Sequence, residues 1–120
     1  MAHHNETGKK GEQLAATWLQ QRGYLILHIN WRYTHCEIDI IASLNDTLHF
    51  IEVKTRQTET FGYPEESVSR KKMISLMNGA AEFLFQHPEW KKVQYDILAI
   101  TQLKNQPTKY FLIEDVYYSQ

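Results

Sequence analysis

Two short stretches carry residue types that could do chemistry together: Glu37-Ile38-Asp39 and Glu52-Val53-Lys54. Each alternates charged with apolar residues, the pattern of a half-buried strand. Between them, Asn45-Asp46 has the composition of a tight turn. A two-residue loop there sets Leu44 opposite Thr47. The same register then sets Asp39 opposite Glu52 and Glu37 opposite Lys54, with all four side chains on one face. Residues directly opposite have Cβ atoms roughly 4.5–5.5 Å apart, and two carboxylates that close repel unless a cation lies between them. The other face pairs Ile38 with Val53 and Ile40 with Ile51. A three-residue loop would instead shift the register by one and part the acids, unless a bulge corrected it.

Three acids beside one lysine on an otherwise apolar hairpin suit a hard divalent cation. Mg²⁺ takes one or two carboxylates, waters and substrate phosphate oxygens. Such an ion stabilises the charge that develops on a phosphodiester under attack and lowers the pKa of a bound water. Asp39 and Glu52 are the candidate ligands, with the backbone carbonyl of Val53 as a third. Lys54 could hold or deprotonate the attacking water, or neutralise a phosphate oxygen. A plainer reading makes Glu37–Lys54 and a protonated Asp39–Glu52 pair ordinary surface contacts; the apolar neighbours on both faces weigh against it. Arg70-Lys71-Lys72 opens a predicted helix, where cations oppose the macrodipole. A phosphate held at that helix end would account for them, and a solvated charge run is the alternative. Arg32 and Arg56 flank the acids and could grip phosphate or balance charge. Cys36 with His35 could bind a softer metal, but the two are adjacent ligands without partners. There is no Gly-rich phosphate cradle and no serine nucleophile motif.

The elements that position these residues follow from periodicity and breakers. A helix is predicted from about Lys9 to Arg22, ended by Gly23. Its apolar residues Leu14, Ala15, Ala16, Trp18 and Leu19 define an inward stripe, and Glu12 lies close to it. Glu12 could add a carboxylate to the site or be an ordinary exposed first-turn acid. Tyr24 to Trp31 reads as a strand with Ile26 and His28 on one face and Leu25, Leu27 and Ile29 on the other. With the hairpin from about Cys36 to Arg56, it makes an antiparallel meander. Gln57 to Glu66, containing Gly62 and Pro64, reads as a loop. Ser69 is a plausible N-cap for a second helix with Met73, Leu76, Met77, Ala80 and Leu84 at helical spacing. Gly79 inside it costs about 1 kcal/mol relative to alanine, which implies close packing there. His87-Pro88 ends it. Val93 to Thr101 is a strand, Asn105 to Pro107 a turn, and Tyr110 to Val116 a last strand.

A chain of 120 residues, 42% hydrophobic and 12% aromatic, fits one folded domain over residues 1–120, with residues 1–8 as a flexible arm. One cysteine rules out an internal disulfide and fits a reducing, cytoplasmic location. No apolar stretch has signal-peptide or membrane-span length. A net charge of -1 argues against coating nucleic acid through bulk positive charge, although not against a nucleic-acid enzyme.

An aspartate followed by Glu-x-Lys on the next strand, with a helical glutamate upstream, resembles the PD-(D/E)xK nuclease superfamily. Further matches fall in order: Gly11-Glu12, Leu19, Gly23-Tyr24, Asn30-Trp31-Arg32, Glu37-Ile38-Asp39-Ile40-Ile41, Phe50 to Arg56, Ser67-Val68 with Lys72, and Asp96-Ile97. Together they resemble the YraN-like family of predicted endonucleases, similar in fold to Holliday-junction resolvases. The resemblance implies an α/β, restriction-endonuclease-like fold: a central mixed sheet, with an antiparallel three-strand meander plus a crossover strand, flanked by helices. It implies a catalytic set of Glu12, Asp39, Glu52 and Lys54, with Glu12 as a third carboxylate, and Mg²⁺ or Mn²⁺ as cofactor. The activity implied is hydrolysis of DNA, including branched recombination or repair intermediates. Symmetric cutting of a four-way junction would need a homodimer. The alternative is a catalytically silent nucleic-acid-binding or protein-interaction module on the same scaffold. Asp96 is also marked, for a role that could be structural. The family usually has glycine where this chain has Cys36, which suggests tight backbone geometry and puts a thiol near the acids.

Overall fold

Asn45 and Asp46 both take left-handed backbone, at φ 49° and 68°, as a type I′ hairpin turn requires. They join two antiparallel strands, β2 (Cys36–Leu44) and β3 (Thr47–Arg56), in the expected register from Leu44–Thr47 to Ile40–Ile51. A computed structural model describes residues 2–57 and 69–116, without the side chains of residues 2–8. The predicted loop around Gly62 and Pro64 and the Ser67-Val68 pair lie outside the described residues. The other elements are α1 (Ala2–Gln21), β1 (Leu25–Tyr33), α2 (Arg70–Gln86), β4 (Lys92–Thr101) and β5 (Lys109–Ile113). Ser69 caps α2, its hydroxyl accepting the Lys72 N–H at 3.1 Å. α1 begins seven residues ahead of the predicted Lys9; once a helix is nucleated, each further residue adds a bond, and Gly8 alone does not stop it.

The sheet order is β1-β2-β3-β4-β5. All neighbours are antiparallel except β3 and β4. A parallel pair cannot be closed by a tight turn, so the chain crosses from β3 to β4 through α2. One face of the sheet packs Ile40, Ala42, Ile51, Leu98 and Ile100 against Ala15, Ala16 and Leu19 of α1. The opposite cluster packs Ile38, Ile41, Leu48, Phe50 and Ile97 against Met73, Leu76, Ala80 and Phe83 of α2. Covered on both faces, β3 and β4 carry long apolar runs.

Strict alternation fails in two strands. In β1 a bulge falls between Ile26 and His28. Ile26 packs with the α1 cluster, whereas the His28 ring meets the edge of Phe83 on α2 at 5.6 Å. The expectation that Ile26 and His28 share a face is therefore wrong, because the extra residue reverses the faces. In β2 the slip is at Asp39. Ile38 and Ile41, three positions apart, both join the α2 cluster, while Ile40 joins the α1 cluster. Between the pairs Ile29–Ile40 and Trp31–Ile38, Asn30 of β1 has φ 60°. The expected Ile38–Val53 pair does not form: the β2–β3 ladder ends at Ile40–Ile51, and Val53 packs on the α1 side.

Gly79 makes the close contact that its place in a helix implied. A Cβ there would lie 3.2 Å from the Cys36 Cβ and 3.3 Å from Ile38 Cδ1. Cys36 itself keeps a negative φ, so this position does not use a glycine's backbone freedom. Gly79→Ala should lower stability by about 1 kcal/mol, since overpacking costs about 1–3 kcal/mol against about 1 kcal/mol of helix propensity gained. Combining it with Cys36→Gly should recover much of the loss. Urea unfolding of the four proteins in the cycle measures that coupling; strictly additive losses would place the crowding elsewhere.

Candidate metal centre

The centre forms where β2 leaves β3. Asp39 Oδ2 accepts the Val53 N–H at 2.8 Å, so a side chain takes the place of the next ladder bond. This holds the carboxylate at the sheet although the regular pairing has ended. The carbonyl of an extended residue points the same way as its N–H, so the Val53 carbonyl faces the same gap. Asp39 and Glu52 are only 8% and 3% exposed. They lie close enough for the charge of Asp39 to oppose ionisation of Glu52.

Glu12 reaches the centre because α1 lies close to the sheet. Gly11 is buried, and a Cβ there would come within 2.5 Å of Thr55 Cγ2 on β3. The absence of that Cβ brings the next residue over the gap. Carboxylate oxygens of Glu12, Glu37 and Asp39 lie within 4.8 Å of one another. Among the described residues, no comparable cluster includes His35 or Cys36.

Glu37 was expected to face Lys54. Its carboxylate instead pairs with Arg32 at 3.1 Å. The slip at Asp39 reverses the face of every residue before it, and Arg32 is the β1 register partner of Glu37. Sequence reading counted Glu37 among the acids but gave it no metal role; the Arg32–Glu37 register across Thr34-His35 was the available signal. Lys54 follows Glu52 by two on β3 and is half-buried. The Arg56 Nε donates to Thr101 Oγ1 on β4 at 3.2 Å. Lys72 Nζ lies 2.8 Å from Glu52 Oε2, and Arg70 and Lys71 are exposed.

Crowded acids resist ionisation. Burial, then the charges of Asp39 and Glu37, push the Glu12 carboxyl from its ordinary 4.5 up to about 7, against a smaller pull from Arg32. Burial, then Asp39, also raises Glu52, and Lys72 only partly offsets this. For Lys72, burial favours the neutral amine, but Glu52, Asp39 and Glu37 outweigh it and raise its pKa. Glu52 Oε2 is buried without a hydrogen bond of good geometry, its ion pair with Lys72 notwithstanding. Hard oxygen donors and excess negative charge together fit a divalent cation.

Asp96 lies apart from this cluster. It accepts from His49 Nδ1 at 2.7 Å, from the Gln94 amide at 2.9 Å and from the Asp115 N–H at 3.0 Å. It ties β3, β4 and the segment after β5 together, which is a structural role.

The chain belongs to the uncharacterised protein family UPF0102, whose model matches residues 11–100. Similar members include a UPF0102 protein of Christiangramia forsetii, 41% identical over 98% of both chains. Another, from Bacteroides thetaiotaomicron, is 40% identical over 83% of each. Among solved structures the chain is similar to Hjc, a Holliday junction resolvase of Archaeoglobus fulgidus, with a TM-score of 0.51 and 18% identity. That match covers 86% of this chain and 74% of the other. At such identity the likeness is one of fold, and it agrees with the restriction-endonuclease-like architecture expected. No described helix is long and apolar enough to cross a membrane.

The raised Glu12 pKa has a definite sign. Between pH 4.5 and about 7 the metal-free folded protein binds more protons than the unfolded chain, so its stability falls as pH rises through that window. Thermal unfolding in chelator should show this fall, and Glu12→Gln should make it shallower, the remainder coming from Glu52. Mn²⁺ should restore stability above the window. An unchanged profile in Glu12→Gln would contradict the assigned cause.

Proposed function

We propose that this chain is a divalent-metal-dependent deoxyribonuclease of the cytoplasm, residues 1–120 forming one nuclease domain. Branched DNA from recombination or repair is its substrate class. The observation that carries the reading is the convergence of Glu12, Glu37 and Asp39 on the gap beside buried Glu52. A structural contact gains nothing from that much like charge.

Mg²⁺ or Mn²⁺, held by Asp39, Glu52, Glu12 and the Val53 carbonyl, would supply stabilisation of phosphodiester charge and a water of lowered pKa. The protein's own groups do the rest. Asp39 is oriented by the Val53 N–H, which leaves its second oxygen for a ligand. Glu37 adds negative charge and keeps Arg32 at the rim. Lys54 holds the attacking water, or takes its proton, beside Glu52. Within the first turn of α2, Ser69 already satisfies the Lys72 and Met73 N–H groups. The Arg70 and Lys71 N–H groups and side chains are therefore the ones offered to DNA phosphate. Arg32 and Arg56 extend this basic rim. Cutting a four-way junction symmetrically would take two such sites in a homodimer.

With Mn²⁺ the purified protein should nick or resolve a four-way junction in preference to linear, nicked or flapped DNA. Asp39→Asn keeps an oxygen for the Val53 N–H but removes the charge. It and Lys54→Ala should each slow cleavage by about 10²-fold or more. Equal cleavage by all three proteins would expose a contaminant. Tight junction binding with no Mn²⁺ uptake by calorimetry and no cleavage would replace this reading with a non-catalytic DNA-binding module.

A further inference from the structure

Lys72 occupies an unusual position for a residue at the DNA-facing end of a helix. Its ammonium does not lie along the exposed turn with Arg70 and Lys71. It reaches into the acidic centre and lies 2.8 Å from Glu52 Oε2, a carboxylate 3% exposed. Asp39 and Glu37 add to the field that holds it there. The Lys72 backbone is fixed by the Ser69 cap, but its side chain is 55% exposed, so the ammonium can swing out without unwinding the helix. Inside, it is ion-paired with Glu52.

We propose that Lys72 is a placeholder cation: it neutralises Glu52 in the metal-free protein and is displaced to a DNA phosphate when a divalent ion enters. This rests on the metal-site reading above. An ion held by the Glu12–Glu37–Asp39 cluster and by Glu52 would take over the charge of Glu52 and repel the ammonium. The released side chain joins Arg70 and Lys71 at the positive end of α2, where a phosphate relieves the crowding of like charge. Metal and DNA then bind cooperatively. Because coupling is reciprocal, each tightens the other by the same factor. One side chain thus keeps the empty centre neutral and completes the phosphate grip only in the loaded protein.

The test starts with calorimetric Mn²⁺ titration of the full chain. Lys72→Met should bind Mn²⁺ roughly tenfold tighter than wild type, because a competing charge is gone, and Lys72→Arg should return towards wild type. In a Lys54→Ala background, which blocks cleavage, Mn²⁺ should tighten binding of a fluorescein-labelled four-way junction several-fold while Lys72 is present. With Lys72→Met added, that tightening should vanish, and the salt slope in Mn²⁺ should drop by about one. Lys72→Gln, which keeps a donor for Glu52 without its charge, serves the same comparison if Lys72→Met does not fold. Equal or weaker Mn²⁺ binding by both uncharged variants overturns the proposal, since Lys72 would then be a clamp that shapes Glu52. If that happens while Asp39→Asn still abolishes Mn²⁺ binding, the metal site stands and only the placeholder falls. Wild-type protein that takes up no Mn²⁺ removes both.

Discussion

The bond from the Val53 N–H to Asp39 is the interaction on which the centre depends. A sheet strand that peels away from its neighbour leaves donors and acceptors unpaired, at about 1–3 kcal/mol for each buried group. Here a carboxylate supplies the missing acceptor. It ends the β2–β3 ladder, satisfies the last donor and keeps an acid at the opening. The slip in β2, the left-handed Asn30 beside it and the turn of Glu37 towards Arg32 all belong to this local departure from regular pairing.

Around that bond the fold concentrates charge that it does not fully neutralise. α1 delivers Glu12 across the missing Cβ of Gly11, and α2 delivers Lys72 to Glu52. The helices cover opposite faces of the sheet, yet both send a charged side chain to the same end of β3. Burial and mutual repulsion raise the Glu12 and Glu52 pKa values in consequence. Stability is given up at neutral pH to keep these acids together. At the other acidic position, Asp96, every visible partner is a donor, and charge there serves architecture.

Much of the framework was legible from local chemistry. Asn45-Asp46 predicted the turn and the register to Ile40–Ile51, because tolerance of positive φ is a property of those residues. Ser69 predicted the cap of α2, and Gly79 predicted close packing. Asp39 and Glu52 were expected as a cross-strand pair, but the β2–β3 ladder ends one pair short of them, at Ile40–Ile51. The prediction failed beyond Ile40, where period two was extended through a residue whose side chain replaces a ladder bond. The same error misplaced the partner of Glu37. In β1 a bulge reversed Ile26 and His28, and nothing in their types marks it.

The amino-acid sequence by itself determined the elements, the turn that sets the central hairpin and the acids that one strand end would carry, since these depend on backbone preference and short-range period. Tertiary structure alone decided which charges meet. Lys72 found Glu52, and Glu12 crossed onto Asp39, through contacts between segments distant along the chain. Such contacts are selected by the packing of two helices on a slipped sheet, and spacing within any one element does not encode them.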